Sequence, residues 1–302
     1  MIAAAGIEVL RPRHLKDALM MLRVAADEGR PLVPLAGGTD LFVTINAGQK
    51  PAARYLDLWR LDKLRGIEVG GKRRLSFGGL ATYTDCIESK AVHKRLPILV
   101  EASRQVGGVQ IQNRGTLAGN IENGSPAADG VPVLMAADAR VVLRSLDDER
   151  AVPLAEYYLG YRKTVRRPDE LIVRIDVEVP DGAQRFEKVG TRAAQAISKV
   201  VMAAVGHRIA FGSVAPVIMR AHKLEAYVAG GGRDVTEAQR LVAEDVTPID
   251  DVRSSAEYRR RVVANLVAAW LPSLLSPSPS PSPPSPPSLP RRTARRGSTT
   301  RR

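Results

Sequence analysis

Two stretches carry the reading of this chain. One is Leu35-Ala36-Gly37-Gly38-Thr39-Asp40-Leu41; the other is Asn113-Arg114-Gly115-Thr116-Leu117-Ala118-Gly119-Asn120, running on to Ser125-Pro126-Ala127-Ala128-Asp129. Each gathers glycine, hydroxyl and carboxylate groups within a few residues. Glycine lets backbone N–H groups come close to a ligand, and successive turn amides form a concave anion site. Two such turns, far apart in sequence, suit the two sides of one extended diphosphate. A Cβ at Gly37 or Gly119 is expected to block that approach. Each turn alone reads equally well as ordinary structure: a strand-to-helix turn capped by Thr39 or Asp40, and a loop ended by a Ser-Pro helix start.

Around the first turn the chain reads strand, helix, strand. Ile7–Leu10 is a strand; Leu15, Ala18, Leu19, Leu22 and Ala26 mark one face of a helix ending at Gly29; Leu32–Leu35 runs into the turn. This is an α/β unit with its turn at the carboxyl end of a strand, where open sheets bind ligands. Tyr55–Leu58 is a further strand, and the flanks of Gly70-Gly71 read as a hairpin. Helices are expected from Asp85 to Lys90, capped by Thr82 or Thr84, and from Pro97 to Val106. After the second turn, a helix is expected over Ala127–Ala137, broken early by Pro132, then a strand at Arg140–Leu143. Leu171–Val179 alternates cleanly, with Leu171, Val173, Ile175, Val177 and Val179 on one face and Ile172 on the other. Pro180-Asp181-Gly182 is the natural domain boundary. Three strand patterns (Arg185–Val189, Lys199–Val205, Arg208–Val214) and then three helical ones (Ala221–Ala229, Thr236–Glu244, Ala256–Trp270) indicate a small α+β domain.

The composition excludes several classes. One cysteine, Cys86, allows neither an internal disulfide nor an all-cysteine iron–sulfur cluster or zinc site within this chain. The four histidines have no metal-ligand spacing. No stretch reaches the ~20 apolar residues of a membrane span, and the first residues lack a secretory pattern, so a cytoplasmic location is expected. The net charge of +13 includes six arginines in residues 272–302; removing those six leaves +7. That Pro/Ser/Arg segment cannot form a core and is expected to be disordered. An arginine-rich tail admits a nucleic-acid-binding reading, but no aromatic stacking platform or reading helix accompanies it. Neither G-x-G-x-x-G nor a P-loop motif is present.

The two turns, followed by Gly160-Tyr161-Arg162-Lys163-Thr164 and by the Lys188–Val200 segment, resemble in order the FAD-binding (medium) subunit of the molybdenum hydroxylase family. Xanthine dehydrogenases and aerobic carbon monoxide dehydrogenases belong to that family. The resemblance runs from about Ile7 to Leu271. It implies an α+β fold: a two-subdomain FAD-binding domain of the vanillyl-alcohol-oxidase (PCMH) type over 1–180, divided near 58. A small C-terminal domain over 183–271, with a three-stranded antiparallel sheet plus helices, would follow.

By the same resemblance, Leu35, Ala36, Gly37, Gly38, Thr39, Asp40 and Leu41 bind the FAD pyrophosphate from one side and Thr116, Leu117, Ala118, Gly119 and Asn120 from the other. Asp129 holds a sugar or ribityl hydroxyl, Ile172 packs on the isoalloxazine, and Lys188 lies near the flavin ring rather than on a solvated strand edge. No catalytic acid/base pair and no metal site are implied in this chain. Molybdopterin and iron–sulfur clusters would sit in a large and a small partner subunit, the assembly being a dimer of heterotrimers, and electrons would leave for NAD, quinone or oxygen. The other enzyme reading is a stand-alone FAD-dependent reductase of the same superfamily; its C-terminal serine or glutamate acid is not found. The family usually has glycine where this chain has Ala118, a strained position only if φ is positive there.

Overall fold

The structure is a computed structural model that describes residues 6–49, 52–192 and 195–274. The arginine-rich end of the tail, and the disorder expected there, lie outside the described residues.

The first unit is β1 (Glu8–Leu10), α1 (Leu15–Asp27), β2 (Val33–Leu35), α2 (Thr39–Asn46) and β3 (Arg54–Asp57), with the strands in a parallel sheet of order β1-β3-β2. The Asp17 carboxylate accepts the His14 N–H at 3.1 Å and closes the start of α1, and Gly29 at φ +63° ends it. The buried face of α1 is Ala18, Leu19, Leu22 and Ala25, not Ala26: the seven-residue step from Ala18 stays over the sheet and the next position turns outward.

The second unit opens with the expected hairpin, β4 (Ile67–Gly70) and β5 (Arg74–Gly78). Six short helices follow: α3 (Tyr83–Glu88), α4 (Lys90–Arg95), α5 (Pro97–Arg104), α6 (Val109–Gln112), α7 (Leu117–Asn123) and α8 (Gly130–Ala136). Then come β6 (Arg140–Arg144), β7 (Glu149–Pro153), the small hairpin β8 (Tyr158–Gly160) and β9 (Lys163–Thr164), and β10 (Leu171–Glu178). The main sheet is antiparallel with β10 at its centre, order β4-β5-β10-β6-β7. The helix expected from Ala127 begins instead at Gly130. This places Pro132 in its first turn, where a missing N–H costs nothing. All seven residues of α8 are buried, as a helix apolar on every side must be.

One expectation for β10 is corrected. Its pairing with β6 slips between Ile172 and Arg174, leaving Val173 as a bulge. An extra residue reverses the period-two phase of a strand. Leu171 and Val173 therefore join the α1 cluster, whereas Ile172 faces the main core together with Ile175, Val177 and Val179.

The third unit is β11 (Gln184–Val189), β12 (Val200–Val205), β13 (Arg208–Gly212), β14 (Met219–Arg220), α9 (His222–Ala229), α10 (Val235–Asp245) and α11 (Ala256–Trp270). Its sheet has four strands rather than three, because the two residues of β14 pair with the edge of β13. Every residue of β12 is buried. Val201, Ala203 and Val205 face the core that contains α8, and Val200, Met202 and Ala204 face the cluster beneath α11. The sheet is thus packed on both faces and docks on α8. A 3₁₀ turn, Leu271–Leu274, extends α11 past the expected tail boundary and buries Leu271.

A buried carboxylate fixes the approach to β10. Glu170 takes two bonds from Arg150, at 2.7 and 2.9 Å, and one from the Arg167 N–H at 2.7 Å. Burial pushes its carboxyl up, but these bonds outweigh that and hold it below the usual value. Its stabilisation is present above the ordinary glutamate pKa and is lost as pH falls through the lowered one. Replacing Glu170 with alanine should cost about 2–3 kcal/mol in urea unfolding at neutral pH, below the full buried-pair value because Arg150 is one-third exposed. The deficit should shrink below pH ~4.

Candidate functional site

The first turn leaves the carboxyl end of β2. Gly38 has φ +75°, a left-handed conformation open to glycine at no steric cost, and immediately precedes α2. Among the described residues, the N–H groups of Gly37, Gly38, Thr39, Asp40 and Leu41 donate to no group of the chain. Five uncommitted amides at a helix N-terminus form an anion-binding surface. Leu35 and Ala36 lead into the turn from partly buried positions, and the Leu35 carbonyl accepts the Leu58 N–H at 2.9 Å.

The second stretch is less of a loop than its composition indicates. Residues 115–117 run antiparallel to residues 81–83: Leu117 N–H donates to the Ala81 carbonyl at 3.0 Å, and Tyr83 N–H to the Gly115 carbonyl at 3.2 Å. Thr116 caps α7, its hydroxyl accepting the Gly119 N–H at 3.0 Å. Leu117, Ala118, Gly119 and Asn120 are therefore the first turn of a helix. Ala118 is not among the positive-φ residues, so its methyl causes no backbone strain. A Cβ at Gly119 would meet the Thr116 hydroxyl at 2.8 Å; the missing methyl makes room for the cap. Within α7, Glu122 accepts from Tyr157 at 2.6 Å, Arg166 at 2.7 Å and Thr164 at 3.4 Å, tying the helix to the Gly160–Thr164 hairpin.

The two turns touch. A Cβ on Gly37 would fall inside the van der Waals envelope of the Arg114 carbonyl. Arg114 Nε donates to the Gly37 carbonyl at 3.4 Å, and Asn123 Nδ2 to Asp40 Oδ1 at 3.3 Å. The Arg114 guanidinium stacks 3.6 Å from the Trp59 ring centroid, with Arg65 4.4 Å from the same centroid. Sequence reasoning did not single out Arg114, Trp59 or Asn123. Their shared signal is contact between residues dozens of positions apart, which no local pattern carries.

Asp129 and Lys188, chosen separately, also come together. Lys188 reaches from β11 to donate to Asp129 Oδ2 at 2.6 Å and to the Gln105 carbonyl at 3.2 Å, its side chain only 5% exposed. Burial raises the Asp129 carboxyl to about 6, even against the pull of Lys188. Asp129 Oδ1 and Asn120 Oδ1 are buried with no hydrogen-bond partner in the described structure. Buried acceptors left open and five free amides together suit a polar ligand such as FAD, with phosphate oxygens to accept and sugar hydroxyls to donate. Ile172 is 9% exposed at the bulge of β10, within the main core. A separate cleft of about 750 Å³, lined by Arg74, Asp138, Asp176 and Arg220, is walled by charges that already pair with one another, Arg220 with Asp138 at 3.4 Å and Arg74 with Asp176 at 3.9 Å. Among the described residues no helix could cross a membrane and no group of three or more His, Cys, Asp or Glu could hold a metal.

The contact between the turns makes neighbouring glycines unequal. Gly37→Ala forces a clash of backbone on methyl and should lower the melting temperature by more than Gly38→Ala. The latter would meet only ordinary van der Waals contacts with Phe42 and Leu35 and should cost about 1–2 kcal/mol for its positive φ. Thermal unfolding followed by circular dichroism checks the order.

Comparison with known proteins identifies the family. Residues 5–181 match the FAD binding domain in molybdopterin dehydrogenase, and residues 186–273 the CO dehydrogenase flavoprotein C-terminal domain. The glyceraldehyde dehydrogenase medium chain of Sulfolobus acidocaldarius is 31% identical over 266 residues, spanning 84% of this chain and 93% of that one. The carbon monoxide dehydrogenase medium chain of Hydrogenophaga pseudoflava is 28% identical over 279 residues, spanning 86% and 95%. A solved carbon monoxide dehydrogenase structure from Hydrogenophaga pseudoflava superposes with a TM-score of 0.80 at 27% identity, covering 89% of this chain and 97% of that one. The chain belongs to the FAD-binding medium subunits of the molybdenum hydroxylase family, and is an oxidoreductase subunit.

Proposed function

We propose that this subunit holds FAD between its two glycine-containing stretches and serves as the electron outlet of a larger hydroxylase. The observation that carries this reading is the run of free amides from Gly37 to Leu41, set against the second stretch by the Gly37–Arg114 contact. Leu35 and Ala36 position that run, and Gly37, Gly38, Thr39, Asp40 and Leu41 would donate to the pyrophosphate. Thr116 to Asn120, at the positive end of α7, would face it from the other side. Asp129 Oδ1 would accept a sugar or ribityl hydroxyl. Lys188 fixes the Asp129 carboxylate from the C-terminal domain and places a cation near the flavin, and Ile172 would supply an aliphatic surface to the ring.

FAD would supply the redox chemistry here, linking iron–sulfur clusters of a small partner subunit to NAD, quinone or oxygen, with a large molybdopterin subunit as the place of substrate oxidation. This chain's own work is binding, orientation and electrostatics. The supporting domain division is 1–180, with subdomains meeting near 58, and 183–271. The assembly would be a dimer of heterotrimers, and a cytoplasmic location is proposed with it.

The full chain, expressed alone or with its partners, should purify yellow and release FAD rather than FMN on denaturation. A folded, colourless protein that cannot be reconstituted with FAD would defeat the reading. Affinity should depend on pH with a definite sign. A ligand hydroxyl donating to Asp129 favours the carboxylate, so binding is full above about pH 6 and weakens as Asp129 protonates below it. The loss should reach about tenfold and disappear in Asp129→Asn, measured by titrating flavin fluorescence between pH 5 and 8.

A further inference from the structure

Tyr83 opens α3 with its side chain buried; the whole residue is 2% exposed. Its backbone is committed to the second stretch through the Gly115 carbonyl. Its ring lies 3.3 Å from where a Cβ on Gly115 would stand, and 3.3 Å from where one on Gly130 would stand. Glycine on both sides admits the ring and fixes it between the second stretch and the start of α8, beside Asp129 in the chain. Yet among the described residues the Tyr83 hydroxyl has no hydrogen-bond partner. Phenylalanine would fill the same space without leaving a donor idle, so the hydroxyl calls for a partner from outside the chain. Among the described residues six buried side-chain nitrogen or oxygen atoms lack a partner. Three of them, on Tyr83, Asn120 and Asp129, belong to these adjoining elements.

We propose that the Tyr83 hydroxyl is a further FAD ligand, donating to the same sugar or ribityl hydroxyl that donates to Asp129 Oδ1. The chemistry of the three groups matches. A carboxylate accepts only, an alcohol both accepts and donates, and burial holds the Tyr83 phenol in its protonated, donating form. Lys188 already occupies Asp129 Oδ2, leaving Oδ1 for the ligand. The inference rests on the FAD reading above.

The test uses the full chain stripped of flavin, as wild type, Tyr83→Phe, Asp129→Asn and the double variant. Flavin fluorescence gives FAD affinity, and thermal unfolding gives the stability of the empty proteins. Empty Tyr83→Phe should be at least as stable as wild type, because it loses only an unsatisfied donor. Its FAD dissociation constant should rise about fivefold. That loss should shrink in the Asp129→Asn background, since both residues hold one hydroxyl. An affinity within twofold of wild type, or an equal loss in both backgrounds, would overturn the assignment. So would a marked destabilisation of empty Tyr83→Phe, which would mean that the hydroxyl is satisfied within the protein. Failure of the wild type itself to bind FAD is a separate result, and overturns the cofactor reading before any variant is compared.

Discussion

The site depends on one steric fact: the Arg114 carbonyl occupies the space where a side chain on residue 37 would be. The first stretch belongs to a parallel β1-β3-β2 unit and the second to helices beside an antiparallel sheet, so nothing local brings them together. Contact at Gly37 does, and the stack of Arg114 on Trp59 holds it. A tightly packed backbone contact does not deform gradually. The separation of the two stretches is therefore set before any ligand arrives, which under the proposed placement of FAD would keep its binding cost low.

The C-terminal unit reaches Asp129 through one long side chain. Lys188 leaves β11, crosses to α8 and pairs with Asp129, while the Ser198 hydroxyl donates to the Ala127 carbonyl at 3.2 Å and Ser213 N–H to the Pro126 carbonyl at 2.7 Å. These bonds tie the segment 126–129 to the C-terminal unit. A buried carboxylate whose pKa is raised to about 6 disfavours the folded state as pH rises from the ordinary aspartate value toward 6. The empty subunit thus carries a polar site whose desolvation is only partly offset by Lys188, as ligand sites often do.

Much of this was legible along the chain. The α1 face, the hairpin at Gly70-Gly71, the three C-terminal helices and the strands of the small domain follow from periodicity and turn chemistry. These depend on residues a few positions apart. Less legible were features set by distant partners. Helix α7 reads as loop because Gly119 and two asparagines are poor helix formers; the Thr116 cap and the antiparallel contact with residues 81–83 override that propensity. The bulge at Val173 arises from pairing with β6 and is invisible in an alternating sequence.

The sequence by itself determined the chemistry: which residues could offer amides, hydroxyls and carboxylates to FAD, and, through four ordered motifs, the family that uses them. Only the tertiary structure decided how these groups act on one another. It showed that Ala118 is helical and unstrained, that Gly119 accommodates a cap, that Asp129 and Lys188 form one buried pair, and that among the described residues the Tyr83 hydroxyl stands without a partner. The reason is physical. Propensity and periodicity are properties of neighbours in the chain, whereas burial, pKa and hydrogen-bond satisfaction are properties of neighbours in space.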